Sequence, residues 1–502
     1  MSIAGTKAYF DKNKTNYPLF YDKWQRNSEW IALPDLTNDA QKIVALFAVY
    51  DNPSNFVTFR CTGAITVDWG DGTATENINS GVTAEHNYVY ANAGNTTTEG
   101  WRQVIITITP QSGQNITAFN IRDFRHSAAS AVSSCYNWLD LRLKTPSLTS
   151  LVVQGAGNVD TDTIQSIEIL DSAFTSLANA FAGIAGLQRV YVKSSATVTN
   201  MLGCFSSGCF NLTDVVCDIT IGANTSFNTT FAECRQLRYI PKFKFASNAS
   251  INSMQYCYAN CFSLLEAPDF GNLTSACTDF IGVFSGCRSL RRAPNMNTTS
   301  AATTTEMFDG CYSLISVPLY NTQNVQNMSL MFRQCASLRS VPAFNTRWVT
   351  NYANMFNGCS GLVSMPHPWG STSATAMNSM FQNCISLKYV STMTSTNVTT
   401  FVSIFNGCTA LTAVPALNMG AATASSGYTN MFNNCLNVGK NSATGIKFTF
   451  SAANEQLSGT ELDNLYTNLA TVSGQTITVT GNYGTATDNP TIATLKGWTV
   501  TG

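Results

Sequence analysis

Asn321-Thr322-Gln323-Asn324-Val325-Gln326-Asn327-Met328-Ser329-Leu330-Met331-Phe332-Arg333-Gln334-Cys335-Ala336-Ser337-Leu338-Arg339-Ser340-Val341-Pro342 is the stretch whose reading decides the fold. Its centre, Phe-x-x-Cys-x-x-Leu, returns as Phe231/Cys234/Leu237, Phe284/Cys287/Leu290, Phe308/Cys311/Leu314, Phe356/Cys359/Leu362, Phe381/Cys384/Leu387 and Phe405/Cys408/Leu411. Tyr258/Cys261/Leu264 and Phe432/Cys435/Val438 are variants, and Cys209 opens the series. Successive cysteines from Cys209 to Cys435 are 25, 27, 26, 24, 24, 24, 25, 24 and 27 residues apart. A unit this short cannot bury a hydrophobic face alone and needs a neighbour on each side, so the period predicts a stack of coils, a solenoid.

Within each unit the apolar positions step by three or four residues and then meet a short β-branched stretch that ends in proline. This predicts a helical or 3₁₀ turn from Met328 to Phe332, a corner at Cys335 and a strand from Leu338 to Val341, stopped by Pro342 because proline donates no ladder hydrogen bond. Strands stacked in this way would form one parallel sheet roughly 43 Å long.

These residues resemble the BspA-type leucine-rich repeats, in particular the Mycoplasma-lipoprotein-like branch whose units run Asn-Thr-x-x-Val-x-x-Met-x-x-Met-Phe-x-x-Cys-x-x-Leu. Asn345-Thr346, Val349, Met355-Phe356, Cys359 and Leu362 follow that frame, and an earlier, weaker coil stands at Phe181, Ile184, Leu187 and Val190. The resemblance implies a repeat protein exposed on a surface.

Composition narrows the classes further. Charged residues make up 11% of the 502-residue chain and the net charge is −1, well below the roughly 25% charged content of average soluble proteins. No basic stripe shows along the sequence, so the electrostatic footprint of a nucleic-acid binder is missing. The longest apolar run, Ile43 to Tyr50, is too short to cross a bilayer and predicts a buried strand. No secretory leader shows at the front and no lipid or wall anchor at the end, and the expectation is that neither is used.

Of sixteen cysteines, ten occupy the repeat: Cys209, Cys234, Cys261, Cys287, Cys311, Cys335, Cys359, Cys384, Cys408 and Cys435. One cysteine per coil makes a row and not a convergent metal site, and in-register stacking holds the Cβ atoms farther apart than a disulfide prefers. The ladder is expected to be free, buried thiol acting as a small hydrophobe. His86, His126 and His367 lie in three separate regions without a nucleophile's elbow, the carboxylates are not paired, and no phosphate loop is present. The reading is no enzyme, no cofactor and no metal.

Before the repeats, Ala64-Ile65-Thr66-Val67-Asp68-Trp69-Gly70-Asp71-Gly72-Thr73 carries an alternating strand into a glycine turn, followed by His86-Asn87-Tyr88-Val89-Tyr90 and a strand at Val104–Ile108. This resembles the PKD-type immunoglobulin-like sandwich. In that pattern Asp68 and Asp71 shape the turn, although such a pair could also bind calcium. The expected organisation is an N-terminal arm (1–38), a PKD-like β-sandwich (39–112), a linker with irregular first coils (113–180), BspA-like leucine-rich repeats (181–440) and a cap (441–502). The rod is expected to fold apart from the front. The cap is predicted to begin with a helix capped by Thr460 and to close its core with Trp498.

In the arm, Tyr9, Phe10, Tyr17, Phe20, Tyr21, Trp24 and Trp30 are candidate docking residues, or else they pack on the sandwich beside them. Arg238, Tyr239, Arg339, Trp348, Trp369, Lys388 and Tyr389 break the regular phrase and are candidate ligand contacts. Thr476–Asn482 and Ile492–Trp498 resemble the ending of phage-encoded BspA-like proteins. The resemblance implies a structural protein of a tailed-phage virion, in several copies, touching other virion proteins and a host surface protein or glycan, with neither nucleic-acid binding nor membrane insertion. A bacterial surface adhesin of the BspA type is the alternative, and a polysaccharide-degrading enzyme the third reading.

Overall fold

The structure, a computed structural model, describes residues 24–52, 55–121, 137–153 and 163–502. Strand β1 (Lys42–Val49) is buried on both faces, as its unbroken apolar run requires. Ile43, Ala45, Phe47 and Val49 face the main core, while Val44, Leu46 and Ala48 lie beneath the segment that carries Trp30, Leu33 and Leu36. Around β1 form β2 (Phe56–Thr62), β3 (Ile65–Asp68), β4 (Glu76–Ile78), β5 (Thr83–Asn87), β6 (Arg102–Pro110) and β7 (Ala118–Asn120). They make two antiparallel sheets, β4-β3-β6-β1 and β5-β2-β7. Aromatics join them: Phe59 of β2 lies 5.9 Å from Trp69, next to β3, and 5.7 Å from Phe119 of β7.

The glycine turn is built by its aspartates. Asp68 Oδ1 accepts from the Gly70 amide at 2.9 Å, and Asp71 Oδ1 accepts from the Thr73 amide at 3.1 Å. Asp71 Oδ2 lies 2.8 Å from His86 Nε2, whose ring stacks on Trp69 at 4.8 Å. Gly70 has φ 77°, and a Cβ there would stand 2.3 Å from the Ile105 carbonyl oxygen, so no other residue fits.

Neither sheet stops at the boundary expected near residue 112. The free edge of β1 pairs antiparallel with β8 (Trp138–Lys144), which pairs in parallel with β10 (Ser166–Asp171). The ladder continues through β11 (Arg189–Asn200) to β12 (Asp214–Ser226). The second sheet likewise gains β9 (Ser150–Val152), parallel to β7. The antiparallel layers are thus the first cap of the solenoid, and one hydrophobic core runs from Ile43 to Trp498.

Two expectations for the repeat are corrected. A continuous parallel sheet exists only in the first coils, where β10, β11 and β12 are rich in Val and Ile and contain no proline. Later coils keep isolated bridges, such as Asn327 to Asn351 to Ala376 to Thr400, and two-residue strands such as Ser364–Met365 with Tyr389–Val390. Pro294, Pro318, Pro342 and Pro366 fall where those strands would lengthen, and each removes a donor.

The Met-Phe segment is no helix either, but a run of linked turns. Alternate amides leave the coil: Met328, Leu330, Phe332 and Gln334 donate to the carbonyls of Asn351, Ala353, Met355 and Asn357 in the next coil at 2.7–3.1 Å. The intervening amides close turns within the coil, as from Cys335 to the Phe332 carbonyl. Such alternation requires two left-handed residues four apart, here Leu330 and Gln334 at φ 61° and 60°, and Asn354 and Gly358 in the next coil.

At the far end, α1 (Gly459–Asn468) is capped by Ser458, whose side chain accepts from the Glu461 amide; Thr460 lies inside the helix. Short strands Phe450–Ser451, Gln475–Thr478 and Trp498–Thr501 close the stack in parallel. Trp498 is buried and donates through Nε1 to the Ala470 carbonyl at 2.8 Å.

Candidate binding surface

The inside of the coils is fully committed to structure. Phe181, Phe205, Phe231, Tyr258, Phe284, Phe308, Phe332, Phe356, Phe381, Phe405 and Phe432 form one stack of nearly parallel rings, each 5.1–6.4 Å from the next. Beside it every ladder cysteine donates its thiol to the carbonyl of the preceding coil's aromatic. Cys335 Sγ reaches the Phe308 oxygen at 3.1 Å and Cys359 Sγ the Phe332 oxygen at 3.0 Å. All ten ladder thiols are free and buried, and burial pushes them up, Cys209 and Cys408 to about 12. Cys204 and Cys257, which showed no spacing in the sequence, occupy the methionine position before the aromatic, as Met331 does before Phe332.

The outside carries what the frame leaves variable. The residues after the first five ladder cysteines form an exposed or half-buried row, Phe210, Arg235, Phe262, Arg288 and Tyr312. Amide bonds hold it in register, as from Ser263 to the Arg235 carbonyl and from Ser289 to that of Phe262. The Arg235 guanidinium lies 4.2 Å from the Phe210 ring centre and Arg288 lies 4.1 Å from that of Phe262, so cation and aromatic alternate and cover one another.

A second row follows the ladder leucines: Arg238, Leu265, Arg291, Ile315, Arg339, Val363, Lys388 and Thr412. The Leu265 amide donates to the Arg238 carbonyl, Ile315 to Arg291, Val363 to Arg339, Lys388 to Val363 and Thr412 to Lys388, at 2.9–3.3 Å. All are exposed except half-buried Leu265. The stack therefore assembles a stripe of cations that the linear sequence hides, which corrects the expectation that there is none.

Of the other candidates, Tyr239 is half-buried and bridged to Glu266, and Tyr389 and Trp348 are 53% and 52% exposed. Trp348 stands on a different edge of the coil, beside Arg347. Trp369 is not a surface residue: it is 2% exposed and packs edge-on against Phe344 and Phe356, at 6.2 and 5.6 Å.

At the front, Trp30 is buried on the outer face of β1, β6 and β8. Arg26 locks its segment by an ion pair with Asp140 at 2.8 Å and by bonds to the Trp30 and Ile31 carbonyls. Trp24 is half-buried, 5.7 Å beneath the Arg189 guanidinium. These two pack on the molecule's own sheet, while Tyr9, Phe10, Tyr17, Phe20 and Tyr21 lie outside the described residues. Among the described residues no three His, Cys, Asp or Glu side chains converge to hold a metal, and no helix is long and apolar enough to cross a membrane.

Stacked coils of one frame, with a committed interior and a variable exterior, define a repeat solenoid. Residues 225–340, 303–418 and 334–444 each match the family described as Mycoplasma protein of unknown function, DUF285. Among solved structures, a leucine-rich repeat protein from Eubacterium ventriosum is similar at 16% identity and a TM-score of 0.28, over 61% of this chain and 91% of that one. The plant peptide hormone receptor RGFR1 in complex with RGF2 is similar at 12% identity and 0.19, over 66% and 64%. The TLR13–ssRNA13 complex is similar at 12% and 0.17, over 68% and 66%. No curated protein matches the chain significantly.

Proposed function

We propose that this protein is a non-enzymatic binding rod, and that it serves as a decoration, fibre or appendage protein of a tailed-phage virion that presents its coils to a host surface or glycan. The observation that carries the binding role is the division within each coil: core positions keep one frame from coil to coil, whereas cationic, aliphatic and aromatic side chains vary in exposed, registered rows. Regular scaffolds with irregular large surface residues are built for recognition. The virion assignment draws on the closing strand and on Trp498, which seal the stack as in the phage-encoded proteins this ending resembles. The two antiparallel sheets and the Trp69-Gly70-Asp71-Gly72 turn support a PKD-like character for the front.

A surface adhesin of the BspA type is the second reading, with which the family match over 225–444 is compatible. Immunogold labelling with antibody against the full chain separates the two. Gold on purified particles supports the virion role, and gold on the envelope of uninfected cells supports the adhesin. Release of reducing sugar from polysaccharides incubated with the full chain would overturn the non-enzymatic reading.

A further inference from the structure

The net charge of −1 conceals a strong segregation. From Gly310 through Asn454 there is no aspartate or glutamate, against six cations, Arg333, Arg339, Arg347, Lys388, Lys440 and Lys447. Arg333 is held by Asp309 of the preceding coil. In the row after the ladder leucines, Arg238, Arg291, Arg339 and Lys388 make no ion pair among the described residues. Glu266 is the carboxylate adjoining this row, one residue beyond Leu265.

Cation and aliphatic residue alternate coil by coil, so the cations recur every second coil, about 10 Å apart at the usual spacing of hydrogen-bonded chains. We propose that this row is a track for a linear acidic polysaccharide bearing one carboxylate per disaccharide, a proposal that rests on the binding role argued above. Such a chain repeats its charge at about the spacing of two coils. The ring between two charged sugars would lie its C–H face on Leu265, Ile315 or Val363.

Single-stranded nucleic acid fits less well, because its phosphates recur at every nucleotide, more closely than the cations of the row, and its bases seek open aromatic faces. Of the adjoining aromatics, Phe210 and Phe262 are already covered by Arg235 and Arg288, and the exposed Tyr312 and Tyr389 are two separate rings and not a continuous stacking platform.

The test is binding of the full chain to hyaluronan oligosaccharides, with neutral dextran and a single-stranded DNA oligonucleotide as comparison arms. Affinity is expected to rise with oligosaccharide length until four carboxylates are reached, and to fall steeply with salt. Arg291→Ser, Arg339→Ser and Lys388→Ser should each weaken binding about threefold. Arg347→Ser and Lys447→Ser change the net charge equally, stand off the row, and should leave binding unchanged. Ile315→Ser and Val363→Ser should weaken it without altering the salt dependence. Equal losses from on-row and off-row variants, tighter binding of the DNA oligonucleotide, or no hyaluronan binding at low salt would each overturn the track. If hyaluronan is ignored while the full chain still binds cells or decorates particles, the track falls and the binding role stands.

Discussion

At the residue scale the ladder cysteine has two tasks, filling a corner and donating its thiol to the coil before it. Cys335→Ser is expected to cost roughly 1–3 kcal/mol in urea unfolding, because a shorter, more polar group enters an apolar corner; Cys335→Asp should cost far more by burying an unpaired charge. Because burial raises the thiol pKa well above its usual value, maleimide at pH 8 should leave the ladder of the native protein unmodified. The cysteine frame is plain in the sequence, whereas the phrase Phe-x-x-Cys assigns nothing to the residue before the cysteine. In fact that residue is left-handed in every coil from Glu233 to Asn434, and glycine or asparagine at Asn260, Gly286, Gly310, Gly358, Asn383, Gly407 and Asn434 is the readable mark of that conformation. Gln334 lacks this ease, so Gln334→Gly is expected to raise the melting temperature, by about 0.5 kcal/mol of stability once glycine's greater unfolded freedom is subtracted.

At the scale of the element, a coil is held mainly by its stacked ring. Phe356 lies 5.6 Å from both Phe332 and Phe381, and Trp369 meets its edge. Phe356→Ala should cost roughly 3–5 kcal/mol, and hydrogen exchange should quicken first in the coils that contain Phe332 and Phe381. In the C-terminal cap, Glu455 is fully buried, with one carboxylate oxygen contacting Asn441 and the other without a hydrogen-bond partner among the described residues. Burial raises its pKa from 4.5 to about 8. A raised carboxyl pKa means that the folded state keeps the proton longer than the unfolded chain. Its contribution is therefore complete below pH 4.5 and lost as pH rises toward 8, at up to about 1.4 kcal/mol per unit. Glu455→Gln should flatten that slope, melting higher than the parent at pH 8 and close to it at pH 4. A parent whose melting temperature does not fall across this window would refute the buried-acid account.

For the whole molecule, the sequence reading set a front domain apart from a rod, and the structure joins them. Hydrophobic patterning marked β1 and the strand around Ile106, but it could not show that β1 offers its second edge to β8, since pairing partners nearly a hundred residues apart leave no local trace. A chain lacking residues 1–136 would expose the β8 edge together with Trp138, Leu141 and Leu143, all now buried. It is expected to aggregate where the full chain stays soluble, which size-exclusion chromatography would reveal. The cation stripe escaped the sequence for a related reason: its members lie 48 to 53 residues apart, and only the stacking of alternate coils makes them neighbours.

The shared register of the turns has a consequence for length. Because each coil gives its outward-pointing amides to the next in one pattern, and both ends are closed by pieces outside the repeat, a whole coil can be inserted or removed in the middle without either terminus sensing it. Duplicating residues 335–358 should yield a protein that folds and melts much as before and is longer by about one inter-strand spacing, near 4.8 Å. The molecule is in this sense a gauge with interchangeable graduations, whose reach can be reset by copying a segment of gene and not by redesigning a surface.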